Sequence, residues 1–183
     1  MRLTWTRWVA FLTVLLSVLV LPSVTLAQDS KSAALAQELT ALLDKNKLDA
    51  IAAKDPSAPD LYVAALYFQG SQLLVASARY SVPSILNEKL AKKDYREVYT
   101  DLNSASIAGS LVLVMDMGAN GLQAKREETR VDTCDMGTKS LLFDGDWKRM
   151  QMASEDEYNK AFADADARYA KMLAALIAQA KKL

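Results

Sequence analysis

The stretch that most constrains the fold is residues 61–102, LYVAALYFQGSQLLVASARYSVPSILNEKLAKKDYREVYTDL. Leu61 to Phe68 is an apolar run of strand length, rich in Tyr and Val, which suit a pleated, packed surface. Gln69-Gly70-Ser71 supplies a turn, because glycine takes positive φ without a steric cost. Leu73 to Ala78 returns, so 61–79 reads as a β-hairpin. Both strands are apolar on both faces, which places the hairpin centrally in its sheet. Ser81 then caps a short helix that Pro83 begins, with Ile85, Leu86 and Leu90 as its buried side. Lys89, Lys92 and Lys93 gather near its end, where cations suit the helix dipole. From Arg96 to Leu102 polar and apolar residues alternate, the pattern of a strand with one wet side.

The flanks supply the remaining elements. Leu35, Leu39, Leu42 and Leu43 recur at helical spacing between Lys31 and Leu48, and Leu48 to Ala52 reads as one further helical turn. Asp55-Pro56-Ser57-Ala58-Pro59-Asp60 then breaks the pattern, since each Pro holds the residue before it extended. Ser110 to Met115 is a strand that ends at Gly118-Ala119-Asn120-Gly121, and Arg130–Cys134 with Lys139–Phe143 makes a second hairpin. Near the C-terminus, Ser154 with Glu157 three residues on forms a capping box. Tyr158, Phe162, Ala165, Tyr169, Met172, Leu173, Leu176, Ile177 and Ala180 follow as a single stripe, which predicts a long helix to about Lys182. The order predicts an α+β fold: a mainly antiparallel sheet or split barrel of about six strands, an N-terminal helix, a short helix after the first hairpin and a long C-terminal helix.

The N-terminus reads differently. Arg2 and Arg7 precede an apolar run from Val9 to Leu21, Pro22 breaks it, and Thr25-Leu26-Ala27 offers small residues to a signal peptidase. Residues 1–27 are therefore expected to be a secretory signal peptide, and 28–183 a single exported domain, periplasmic or secreted. The competing reading, a retained anchor, has a run shorter than the ~20 residues that a spanning helix needs.

Composition narrows the chemistry further. The chain contains no histidine, which removes Ser-His-Asp and Cys-His hydrolases and His-ligated zinc or haem. Without Arg2 and Arg7 the charge balance leans by two toward acid, so no basic excess argues for nucleic acid or anionic lipid. Cys134 is the single cysteine, so no intrachain disulfide forms; a half-buried strand residue is its simplest role.

Two groups of residues invite a ligand. Ser77, Arg79, Tyr80 and Ser81 stand where the second strand hands over to the helix. Hydroxyls, a guanidinium and free helix N–H groups together suit a phosphate or carboxylate; alternatively, Ser81 only caps and Arg79 pairs with Glu97 or Asp101. Asp116, Asn120, Gly121 and Glu127 fit four places of a calcium loop, but Gly118 replaces one ligand, and a hairpin turn accounts for the same residues. No set of side chains reads as catalytic.

The segment LLVASARYSVPSILNEKLAKKDYREVYTDL resembles the core of the FMN-binding split-barrel superfamily, the pyridoxamine-phosphate-oxidase-like proteins. The resemblance covers residues 48–143 and its motif is loose. It implies a flavin phosphate gripped by Ser77, Arg79 and Ser81, FMN at a homodimer interface, and oxidoreductase activity. The chain has Val82, Pro83 and Ser84 where family members often carry a first-turn Lys, and export would oblige it to find flavin outside the cytoplasm. The element order is also similar to roadblock-like and profilin-like sheets, which scaffold partners. The leading expectation is thus a non-catalytic exported module that binds a small anionic ligand or a protein partner, with the flavin enzyme as its alternative.

Overall fold

A computed structural model describes residues 30–55, 61–68, 70–79, 110–125 and 130–183. Its elements are α1 (Lys31–Asn46), β1 (Ala50–Lys54), β2 (Leu61–Phe68), β3 (Gln72–Arg79), β4 (Ser110–Met117), β5 (Asp132–Met136), β6 (Lys139–Phe143) and α2 (Glu155–Ala180). The fold is α+β. The strands form one antiparallel sheet in sequential order, β1 to β6, and among the described residues its two edges do not meet. The expected helix from Pro83 and the expected strand at 96–102 lie outside the described residues.

The first hairpin pairs in unbroken register from Leu61↔Arg79 to Phe68↔Gln72, and Gly70 sits at φ +67° in its turn. One correction concerns residues 48–52. They do not extend α1. Lys47 takes the left-handed conformation, and the N–H of Leu48 reaches back to the Leu43 carbonyl, which terminates the helix. Residues 50–54 then pair with β2 from Ala50↔Leu66 to Lys54↔Tyr62, so sheet pairing overrides the helical preference of alanine. The second hairpin also shifts: β5 starts at Asp132, and Gly137 turns it at φ +62°.

Both helices lie on one side of the sheet. Leu39 and Leu43 of α1 and Tyr169, Leu173 and Leu176 of α2 pack with Val63, Val75, Val114 and Phe143 in the main core. All nine residues of the predicted α2 stripe are buried. Phe143 meets Phe162 edge-on at 5.1 Å and Tyr158 at 6.0 Å, anchoring β6 to the first half of α2. Among the described residues, no helix is long and apolar enough to cross a membrane.

Candidate functional site

The end of β3 carries the first candidate group. Ser77 is 5 % exposed and stands opposite Val63 on β2 and Val112 on β4. Directly after it the β3–β4 register slips: Ser77 pairs with Val112, but Ala78 pairs with Ser110. The extra residue, Leu111, makes a bulge in β4, a device that bends a strand and increases its twist beside binding sites. Arg79 is the last residue of β3, opposite Leu61. Tyr80 and Ser81 lie outside the described residues.

The second group sits at the other end of β4. The Asp116 side chain is fully buried. Its Oδ1 accepts the Asn120 N–H at 3.1 Å, and its Oδ2 accepts the Gly121 N–H at 2.8 Å and the Tyr169 hydroxyl at 3.0 Å. Burial pushes this carboxyl above its ordinary value of 3.8, opposed by the bonds from Gly121, Tyr169 and Asn120. Burial, with the Asp116 carboxylate beside it, pushes the Tyr169 phenol well above its usual range. Asn120 Oδ1 is buried without a hydrogen-bond partner. Glu127 lies outside the described residues.

Two further acids complete this end of the molecule. Asp132, at the start of β5, takes the N–H of Met117 and of Gln123, both at 2.7 Å, so the loop 117–123 is held at both ends. Asp166 lies in the middle of the α2 stripe, between Phe162 and Tyr169, and is 4 % exposed. It reaches the start of α1, where it accepts the Lys31 N–H at 2.7 Å, the Ser32 N–H at 3.0 Å and the Ser30 hydroxyl at 2.7 Å. Ser32 Oγ lies 2.9 Å from Ser30 Oγ and accepts the Leu122 N–H at 2.9 Å, linking α1 to the loop. Backbone N–H groups given to these two carboxylates join α1 to α2 and β4 to β5. Sequence reading by period misses Asp166. The signal was present: an acid on the apolar stripe of an amphipathic helix needs a buried partner.

Two further groups among the described residues are enclosed or paired. Cys134 is fully buried between β4 and β6, and burial, with Asp135 beside it, pushes the thiol up to about 12. A thiol of that acidity is not a nucleophile at neutral pH. Asp144 accepts the Asp146 N–H at 3.0 Å and pairs with Arg149 at 2.6 Å. Burial raises its pKa, but the Arg149 bond and charge and the Asp146 N–H together outweigh it and hold it below its usual value. Among the described residues, no group of three or more His, Cys, Asp or Glu side chains is placed to hold a metal ion.

Among the described residues, two open clefts lie elsewhere. One of about 320 Å³ lies where α1 gives way to β1, at Asp44, Lys47 and Asp49. The other, about 340 Å³, has a floor of Met136, Leu141 and Met152 and a rim of Lys139, Lys160 and Asp164. Neither is lined by Ser77 or Asp116.

Comparison with known proteins adds no relative: no family model, no characterised protein and no solved structure matches the chain.

Proposed function

We propose that residues 28–183 form an exported, non-catalytic binding domain that meets a small anionic ligand or a protein partner at the end of β3, through Ser77 and Arg79. The observation that supports this reading is the bulge between Ser77 and Ala78. In a sheet whose β2–β3 hairpin keeps perfect register, the one irregularity of β3 falls at the residues that the sequence marks for an anion. The bulge bends β4 beside the end of β3 and leaves Leu111 out of the ladder, next to Ser77 and Arg79. The acids at the opposite end of β4 hold backbone N–H groups and have a structural task of their own.

The alternative is a split barrel that holds FMN with the same Ser77 and Arg79, together with Ser81. It would draw on the same strand end beside the bulge, although among the described residues the sheet is not closed. One experiment separates the two. Protein from the extracytoplasmic fraction, with Gln28 as its first residue, is titrated with inorganic phosphate and with FMN while melting is followed. Stabilisation by phosphate that FMN does not exceed, lost in Arg79→Ala, is the expected result. Saturable FMN binding with a yellow flavin absorbance establishes the alternative instead. If neither ligand shifts the melting temperature, the anion site falls.

A further inference from the structure

The loop after β4 contains the chain's single Asn-Gly pair, Asn120-Gly121. Such a pair carries chemistry of its own. Glycine has no side chain to hinder its backbone nitrogen, which can attack the Cγ of the asparagine before it. A new N–Cγ bond forms as the Cγ–Nδ2 bond breaks. The proton of the attacking nitrogen passes through solvent to the leaving nitrogen, and ammonia departs. Water then opens the cyclic imide at either carbonyl, leaving aspartate or isoaspartate.

In this fold the attacking nitrogen is engaged. The Gly121 N–H donates to Asp116 Oδ2 at 2.8 Å, and the Asn120 N–H donates to Oδ1 of the same carboxylate at 3.1 Å. The Tyr169 hydroxyl of α2 donates to Oδ2 at 3.0 Å and holds that carboxylate in place. The next two N–H groups are held as well, Leu122 by Ser32 Oγ at 2.9 Å and Gln123 by Asp132 at 2.7 Å. Cyclisation must turn the Gly121 nitrogen toward the Asn120 side chain, and every one of these bonds opposes that turn.

We propose that Asn120 is a deamidation site that Asp116 keeps closed, that reacts when the loop opens, and whose products do not fit the closed loop. Asn120 Oδ1 is buried without a hydrogen-bond partner, so an aspartate there places a charge with no donor in a turn that already contains Asp116. Isoaspartate lengthens the backbone beside Gly121, which already lies against the backbone of Ala33. Each opening that leads to reaction is therefore recorded permanently in the chain. The site lies at the end of β4 away from the Ser77 pairing and is independent of any ligand there.

The test incubates the purified protein in mildly alkaline buffer, with and without unfolding urea. The peptide containing Asn120 is followed by mass spectrometry, and isoaspartate is labelled by its methyltransferase. Conversion in urea at least about tenfold faster than in native buffer is the expected result, because the folded chain reacts only through its open fraction. Equal rates overturn the proposal. Two variants separate Asp116 from folding in general. Asp116→Asn, whose amide oxygen can keep the Gly121 N–H, should stay within about twofold of the parent. Asp116→Leu offers no acceptor and should convert in native buffer at a rate approaching that in urea. A folded Asp116→Leu protein as slow as the parent overturns the proposal. If Asp116→Leu does not fold, Tyr169→Phe takes its place: it loosens the carboxylate and should convert faster than the parent, and an unchanged rate counts against Asp116 in the same way. Asn120→Asp installs one product directly. It should melt below the parent at neutral pH, and unchanged melting also overturns the proposal.

Discussion

The two helices of this protein begin in opposite ways. α2 starts on its own sequence: Ser154 Oγ accepts the Glu157 N–H at 3.2 Å, and Glu157 returns to the Ala153 N–H at 2.7 Å. Glu155, Asp156 and Glu157 add negative charge to its first turn. α1 has no such device. Ser30 occupies its N-cap position, but its side chain caps no backbone N–H of the helix, and no acid lies in its first turn. Its free N–H groups go instead to Asp166, more than 130 residues away in sequence. A locally capped helix can form before it docks, whereas α1 gains its cap only when α2 is in place. The start of α1 is therefore a tertiary contact and should respond to mutation as part of the core.

The largest expected effect comes from the closest approach in that contact. Gly121 adopts φ +88°, and a Cβ there would run into Ala33 Cα and lie 2.5 Å from Ala33 N, in the first turn of α1. Both neighbours are backbone, so no side-chain rotation relieves the clash. Gly121→Ala is expected to cost on the order of 4 kcal/mol or to prevent folding, measured by urea unfolding. A loss below ~1 kcal/mol would show that the loop and helix part easily, and the contrast between the two starts would weaken.

The next test sets one cap against the other. Asp166→Ala leaves the Lys31 and Ser32 N–H groups without an acceptor in a buried setting, and should cost about 3 kcal/mol. Ser154→Ala removes one exposed cap and should cost ~1 kcal/mol. Hydrogen exchange sharpens the difference. Asp166→Ala should speed exchange across the first turn of α1 and in the loop at Leu122, whereas Ser154→Ala should affect only the first turn of α2. Equal costs would sink the distinction.

Much of the fold was open to sequence reading because the signals were local. The capping box and the nine-residue stripe define α2, and the apolar runs around Gly70 define β2 and β3. What escaped depended on partners far along the chain. Residues 50–54, AIAAK, carry an alanine-rich preference for helix and become a strand only because β2 lies beside them. Asp116 illustrates the same limit at a candidate site. A carboxylate followed by Asn-Gly serves equally as the head of a cation loop and as the acceptor of a backbone turn. The Tyr169 hydroxyl that it accepts comes from 53 residues on and has no local signature. Ser77 was legible as a strand end, but the bulge beside it was not, since register is a property of two strands.

The smallest effect concerns how the loop under α1 responds to pH. The Asp116 carboxyl sits above its ordinary 3.8 in the fold, chiefly through burial. The folded protein therefore holds a proton there that the unfolded chain releases sooner. The stability tied to this group is full below 3.8 and declines as pH rises from there through the raised folded value. Asp116→Asn removes the titration. Its amide oxygen can keep the Gly121 N–H and the Tyr169 hydroxyl, while its NH₂ faces the Asn120 N–H and cannot accept it. In urea unfolding across this range, the variant should gain on the parent as pH rises from 3.8 through the raised folded value, and no further above it. Parallel curves for the two proteins would mean that the bonds from Gly121, Tyr169 and Asn120 fully offset burial. The loop would then hold the start of α1 with equal strength on both sides of the transition.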